Sequence, residues 1–328
     1  MFYLRDQVEE NSKTGRKVFN FSQIIQNSYK KKQMTSIIKN FSRISAGLGF
    51  YFFASLLGSP NHAAANGCPT NPSLADFTNG SSCFITPEVY KVTFYEMGLC
   101  TSDPLASTTF QDNGNYASDY VIDESSCSAS FINENGVTLD LASGGSQTLS
   151  GGTNLKPPTG SYGHAYVKIK NVFGLKGSYT VAGTPYYSKS VIQNGVFNGV
   201  SDTDEANYSE WEEKIVDFDK GSACEPVESN RLMAVSDTFN TGVTGTLKGL
   251  LASVSGGSYS GTTQANCGDS TRIFGVFSPT SPVVISEQTK GLEVSFTITE
   301  RGISVFPGNN PYIVEFGSGP FTPKFQTF

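Results

Sequence analysis

The strongest constraint on the fold is an alternation of apolar and polar residues in short runs. In the clearest run, Leu292, Val294 and Phe296 alternate with polar residues, which places the apolar set on one face of a strand. The runs are separated by Gly, Ser, Asn and Pro, residues that favour turns. Because no run of useful length has the helical period, the sequence predicts an all-β, antiparallel β-sandwich without parallel βαβ units.

The alternation also predicts where the strands lie. A half-exposed strand is expected at 162–172, with polar and aromatic residues on its outer face. Within Glu134-Asn135-Gly136, the Asn-Gly dipeptide is a turn signal that predicts a hairpin between two short strands. The other predicted strands span residues 88–98, 120–122, 128–132, 137–141, 175–181, 244–254, 272–277, 292–299, 303–306 and 312–316.

The acid-rich segment 198–230 interrupts this pattern. It holds many carboxylates and few strand formers outside 214–218. Three interpretations stay open: a long loop, a short helix at 204–213, or a boundary between two packed β units.

An apolar stretch near the N terminus predicts export. Residues 34–65 contain the basic residues Lys39 and Arg43, an uncharged apolar run at 44–58, Pro60, and the small residues Ala63 to Ala65. This order is that of a secretory signal peptide cleaved before Asn66. A membrane span needs about 20 apolar residues, so the shorter run favours cleavage. The exported region is then 66–328, with no membrane span after cleavage.

Thirty-three residues precede Met34, which is unusual for a secretory signal. They show no apolar periodicity of helix or strand type. We interpret residues 1–33 as a leader of one of two kinds. Either Met34 is the true start and the leader is an overrun upstream of it, or the leader is a long, disordered extension.

The exported region is acidic. Residues 1–65 contain nine of the 23 Lys and Arg residues and three of the 29 Asp and Glu residues, which leaves 14 basic and 26 acidic residues and a net charge of −12. Nucleic acids and anionic membranes require a basic surface, so the charge excludes both as partners. It is compatible with solubility or with cation binding.

All six cysteines follow the predicted cleavage position. An even number in an exported chain predicts three disulfides, for which 15 connectivities exist. We favour disulfides between cysteines that are neighbours in the sequence. Disulfides also favour a secreted or cell-surface location, and a periplasmic location stays open. The predicted pairs are Cys68 with Cys83, Cys100 with Cys127, and Cys224 with Cys267.

The sequence identifies no catalytic residue. His164 is the one histidine of the exported region, and no G-x-S-x-G nucleophile motif accompanies it. Four carboxylates could form the acid pair of a glycoside hydrolase, but their separation cannot be predicted from sequence. They are Glu210, Glu212, Glu213 and Asp217.

Two kinds of ligand site are suggested by residue type. Asp202, Asp204 and Glu205 offer the oxygen ligands that calcium prefers, and no other cofactor is predicted. Exposed aromatic rings could stack on sugars, although an all-β core also uses them. The candidates are Tyr162, Tyr166, Tyr186, Tyr187 and Trp211.

These features predict an exported, non-enzymatic protein with a structural or adhesive role, which could be a self-assembling subunit. Its partners would be other copies, or glycans or proteins of a cell surface. The segment Gly317 to Phe328 is a candidate donor strand for a neighbour. The alternatives are a secreted glycan-binding module and a secreted glycoside hydrolase or lyase built on a β-sandwich.

Overall fold

A computed structural model describes residues 2–6, 67–110, 120–144, 146–193, 196–218, 233–240, 244–262, 264–308 and 313–328. These residues belong to one compact unit. Among them, no helix has both the length and the apolar character needed to cross a membrane.

The described chain is nearly all β, as predicted. Its first eleven strands are β1 (Phe2–Asp6), β2 (Cys83–Ile85), β3 (Val89–Cys100), β4 (Cys127–Asp140), β5 (Ser146–Thr148), β6 (Thr153–Asn154), β7 (Gly160–Tyr162), β8 (His164–Lys170), β9 (Val172–Lys176), β10 (Ser178–Val181) and β11 (Thr184–Gln193). The others are β12 (Val196–Asp202), β13 (Trp211–Lys214), β14 (Ala234–Asn240), β15 (Thr244–Ser255), β16 (Ser258–Gly261), β17 (Arg272–Pro279), β18 (Val283–Ile285), β19 (Leu292–Thr297), β20 (Ile303–Pro307), β21 (Val314–Ser318) and β22 (Thr322–Thr327). The helical elements are α1 (Leu74–Thr78) and the 3-10 turns Leu141–Ser143, Glu205–Asn207 and Gln264–Asp269.

The strands form several sheets. The largest has the order β13-β9-β3-β8-β17-β15-β14, with β4, β6 and β16 attached to it. A six-stranded sheet has the order β10-β11-β12-β21-β20-β2, a four-stranded sheet the order β22-β19-β1-β5, and β7 pairs with β18. The pairing between β1 and β19 is parallel, whereas the other strand pairs are antiparallel. The largest sheet contains strands from both sides of the acid-rich segment.

The main core lies where the largest sheet packs on the two smaller ones. Phe94 of β3 contacts Phe296 of β19, with ring centroids 5.7 Å apart. Trp211 of β13 contacts Phe316 of β21, with ring centroids 6.0 Å apart. The alternation read at residues 292–296 therefore buries its apolar side chains between sheets, which confirms the sandwich.

A second apolar cluster covers the other face of the largest sheet. On β8, Ala165 faces the main core while Tyr166 faces the second cluster, where its ring stacks on Phe274 at 5.7 Å. The prediction of a half-exposed strand at 162–172 is therefore wrong, because a second layer covers its outer face. The cluster consists of Cys100, Leu105, Tyr166, Ala234, Leu250, Phe274 and Val276.

Two of the three predicted cysteine pairs are present as disulfides, Cys68–Cys83 and Cys100–Cys127. The first ties the residues just after the predicted cleavage position to β2, and the second joins the ends of β3 and β4. The third predicted pair cannot be compared, because Cys224 lies outside the described residues.

Three local predictions are wrong. The residues of the predicted hairpin at 134–136 lie inside the continuous strand β4, where Gly136 has φ +76° and β3 pairs with shifted register. A positive φ at glycine suits a bulge as well as a turn. Residues 120–122 form no strand. The leader, expected to lack strand structure, contributes β1 to the four-stranded sheet.

Candidate functional site

The one histidine of residues 66–328 contacts a serine. The Nδ1 atom of His164 lies 2.7 Å from the hydroxyl oxygen of Ser278, because their neighbours Ala165 and Phe277 are paired across β8 and β17. Burial lowers the pKa of His164, the nearby carboxylate of Asp103 raises it, and the ammonium of Lys248 lowers it. A neutral imidazole is therefore favoured at physiological pH, with a geometry that resembles two members of a catalytic triad.

The acid that would complete this triad is engaged elsewhere. Asp103 accepts a hydrogen bond from Lys248 Nζ at 2.5 Å and one from the backbone N–H of Leu105 at 2.9 Å. A triad requires the acid to orient the histidine directly, and no carboxylate among the described residues hydrogen-bonds His164. The arrangement is better explained as a structural contact at one end of the sheet.

We expect Ser278 to be unreactive toward serine-directed reagents. A fluorophosphonate probe should label the protein no more than it labels Ser278→Ala, because nothing activates the hydroxyl beyond one imidazole contact. Intact-protein mass spectrometry measures the adduct, and Ser278→Ala is the matched control. Stoichiometric labelling that disappears in Ser278→Ala and in His164→Ala would instead establish a nucleophile.

Four of the five aromatic residues suggested as ligand-facing are buried. Tyr162, Tyr166, Tyr186 and Trp211 each have at most 8% of their surface exposed. Tyr187 is half-buried, and its ring lies 5.1 Å from that of Tyr208. The sequence pattern cannot distinguish these positions, since large rings alternate with polar residues both on exposed faces and between two packed layers.

The proposed calcium ligands are used to fold their own loop. Asp202 accepts hydrogen bonds from Lys189 Nζ and Asn207 Nδ2, both at 2.9 Å. Its pKa is lowered first by the backbone N–H of Asp204 and then by Lys189. Asp204 in turn caps the 3-10 turn that contains Glu205. Within the described residues no three acidic, histidine or cysteine side chains form a metal-binding group, so the calcium prediction gains no structural support.

The carboxylates proposed for a hydrolase have different surroundings. Glu210 forms an ion pair with Lys91 at 2.6 Å and raises the pKa of that ammonium, which Glu212, exposed on β13, also raises. Glu213 lies on the opposite, buried face of β13, and Asp217 is also buried. A general acid and its partner must flank one substrate bond, whereas Glu210 is held by a cation and Glu213 and Asp217 are enclosed in the fold.

A charged cluster that sequence reasoning did not identify lies beneath the second apolar layer. The ammonium of Lys168 contacts Glu96 at 3.0 Å and Glu124 at 2.8 Å, and it lies 4.4 Å from the ring centroid of Tyr259. Tyr166 donates a hydrogen bond to Glu96 at 2.6 Å, and burial followed by this bond raises its pKa. The acids come from β3 and from the loop before β4, so no local motif could reveal the cluster.

A second group missed from sequence is the buried carboxyl of Glu213. It accepts a hydrogen bond from the backbone N–H of Ser318 and thereby links β13 to the end of β21. Burial raises its pKa to about 7, against a smaller lowering by Ser318. Buried and exposed side chains alternate along β13, which places Trp211 on the same buried face as Glu213. The acid-rich composition concealed this two-residue period.

A concave feature lies beside the Cys68–Cys83 disulfide. It is an open cleft of about 420 Å³ between β2 and β10, the two edge strands of the six-stranded sheet. Residues 68–72 cross between these edges: the backbone N–H of Cys68 donates to the Phe84 carbonyl at 2.9 Å, and the Pro72 carbonyl accepts from the backbone N–H of Ala182 at 2.8 Å. The chain itself therefore bridges the edges there.

The tail proposed as a donor strand is paired within its own chain. Residues Thr322–Thr327 form β22, antiparallel to β19. Phe325 packs on Phe277 with ring centroids 5.5 Å apart, and Phe321 packs on Phe296 at 5.3 Å. These apolar contacts bind the tail to the core, and an edge strand tolerates Pro323. The segment is therefore not a free end in this chain, and its donation to a neighbour stays a prediction.

Comparison with known proteins finds no matching protein family, no similar characterised protein and no similar solved structure.

Proposed function

We propose that the processed chain is an exported surface or extracellular protein with a structural or adhesive role, and that it works by association without catalytic turnover. The observation that best supports this is the use of its chemically versatile residues. Tyr166, Lys168 and Trp211 are buried, and the acid that could assist His164 is held by Lys248. These residues stabilise the sandwich, which supports a structural role.

The disulfides support export. Cys68 lies two residues after the predicted cleavage position and is bonded to Cys83, so the new N terminus would be fixed to the sheet. Disulfides form and persist in oxidising compartments. Both disulfides are compatible with a secreted, cell-surface or periplasmic location.

The glycan-binding and hydrolase alternatives receive less support. A binding face needs exposed rings, and of the five proposed aromatic residues Tyr187 is the one that is not buried. A hydrolase needs two carboxylates around one cleft, whereas Glu210 and Glu213 have separate structural partners.

Export and association can be tested on one preparation. We expect protein recovered from the extracellular or periplasmic fraction to begin at Asn66, because the apolar run is too short to remain as an anchor. Mass spectrometry of its N-terminal peptide checks this, and negative-stain imaging should show assemblies or surface-attached particles.

A variant with Ala63→Leu and Ala65→Leu provides the control, because signal peptidase requires small residues there. This variant should keep its apolar segment. Exported wild-type protein that retains residues 44–58, or that remains a monodisperse monomer without surface attachment, would contradict the proposal.

A further inference from the structure

The cleft beside the first disulfide is a gap between the two edges of one sheet. The six-stranded sheet begins with β10 and ends with β2, and both strands line the cleft. One end of the gap is closed where the backbone N–H of Glu88, after β2, donates to the carbonyl of Lys176, before β10, at 2.8 Å. Residues 68–72 cross the other end. The cleft therefore opens to solvent between two closed ends.

The β10 side of the cleft presents backbone groups outside the ladder. A two-residue turn at 182–183, with positive φ at both residues, joins β10 to β11, so Val181 and Thr184 form a hydrogen-bonded pair. Such pairs alternate with non-hydrogen-bonded pairs along antiparallel strands. The N–H and C=O groups of Ser178 and Thr180 hence point away from β11, toward the cleft that both residues line. Among the described strands, β10 pairs with β11 alone.

The opposite side of the cleft supplies a carboxylate. Glu300 lines the cleft and is exposed, and it takes part in none of the ion pairs of the described residues. Its φ of +52° is uncommon for a residue with a side chain, and its N–H donates to the Thr86 hydroxyl at 2.8 Å. The carboxyl group lies against Gly67, where an added Cβ would be 2.9 Å from the carboxyl carbon. The left-handed backbone and this glycine together set the position of the negative charge.

We infer that this cleft binds an extended segment of a partner protein through a lysine or arginine residue. The backbone of that residue would pair with the edge of β10, as in other cases of strand addition, and its cationic side chain would bind Glu300. The closed ends limit the paired stretch to roughly one or two residues, since a strand rises about 3.3 Å per residue. The inference rests on the proposed function, to which it adds the class of partner.

Charge favours a basic segment over other ligands. An ionised carboxylate such as Glu300 accepts hydrogen bonds and donates none, so it selects a donor, and a cation most strongly. The chain carries a net charge of −6, which attracts cationic partners at long range. A neutral sugar gains nothing from this charge, and Tyr179, the tyrosine of the cleft, is buried with its hydroxyl bound to the Pro69 carbonyl at 2.7 Å.

The experiment titrates the purified protein with the acetylated and amidated pentapeptide Gly-Val-Lys-Val-Gly and follows binding by NMR. We expect saturable binding that weakens as salt rises, because salt screens an exposed ion pair. The same peptide with norleucine in place of lysine is the matched control, and it should bind about tenfold more weakly because the charge-assisted hydrogen bond is lost. Methylation of the lysine backbone nitrogen should weaken binding severalfold, because it removes a donor to the edge of β10.

Protein variants locate the site. Glu300→Gln should weaken binding about tenfold, whereas Glu287→Gln, which removes an exposed carboxylate outside the cleft, should leave it unchanged. Gly67→Ala keeps the charge but should also weaken binding, because its methyl group would displace the carboxyl group. Glu300→Gly should lose binding and melt no lower than the wild type, since glycine adopts a positive φ without strain.

Two outcomes would overturn the inference. A lysine peptide that does not bind, or that binds wild type and Glu300→Gln equally, would exclude the cleft as its site. Binding of the neutral disaccharide lactose in the cleft, in place of the peptide, would exclude a peptide as the occupant. In both cases, assemblies or surface-attached particles in negative-stain images would leave the proposed function intact. Peptide binding by a protein that shows neither would contradict the proposed function and retain the cleft as a binding site.

Discussion

Replacing Lys168 with methionine is expected to destabilise the protein by about 3 kcal/mol, since removing one member of a buried charge cluster leaves its partners uncompensated. The ammonium contacts Glu96 and Glu124, and the Lys168 side chain is 5% exposed. Methionine fills similar volume, so the loss measures the charge interactions and not a cavity. Urea unfolding of the wild-type and variant proteins at neutral pH gives the difference in the free energy of unfolding.

Lys170→Met is the matched control, two residues along β8 and half-buried, with no acidic partner among the described ion pairs. It should change stability by well under 1 kcal/mol. Adding Glu96→Gln and Glu124→Gln to Lys168→Met should recover part of the loss, because the buried charges are then removed together. Equal effects of Lys168→Met and Lys170→Met would show that the cluster contributes nothing.

The same strand shows what the sequence could and could not predict. Its position and its inward-facing residues follow from alternation, and Ile169 lies in the main core as expected. Its outward face was predicted to meet solvent because it carries Tyr166 and Lys168. Both side chains could face water. Instead, Phe274 packs on Tyr166, and two carboxylates distant in sequence bind the Lys168 ammonium. Such coverage depends on long-range contacts that local periodicity does not encode.

In the acid-rich segment and in the tail, a strand was missed from sequence for related reasons. Around Trp211 the charged residues obscured a four-residue strand whose alternate side chains are buried. The tail is predicted from sequence as a strand for a neighbour, but Phe325 has a ring partner in the largest sheet of its own chain, Phe277. In both cases the burial of a few large aromatic side chains outweighs the local sequence composition, because each ring removes a large apolar surface from water.

Between pH 4 and pH 8, the wild-type protein is expected to lose about 3 kcal/mol of stability through Glu213 alone. Burial raises its pKa from 4.5 to about 7, and each unit of difference from the unfolded state corresponds to about 1.4 kcal/mol. The folded state holds this proton over a range in which the unfolded state releases it. The favourable contribution is therefore complete below about pH 4.5 and is lost as the pH rises through about 7.

Glu213→Gln isolates this contribution, because glutamine resembles the protonated carboxyl and can still accept from Ser318. We expect its stability to match the wild type at pH 4 and to exceed it by up to about 3 kcal/mol at pH 8. Other titrating groups cancel in the difference between the two proteins. Glu212→Gln, on the exposed face of the same strand, should leave the wild-type pH profile unchanged. A constant difference between Glu213→Gln and wild type across this range would mean that Glu213 is already ionised, and its link to β21 would then be an ordinary charge-assisted hydrogen bond.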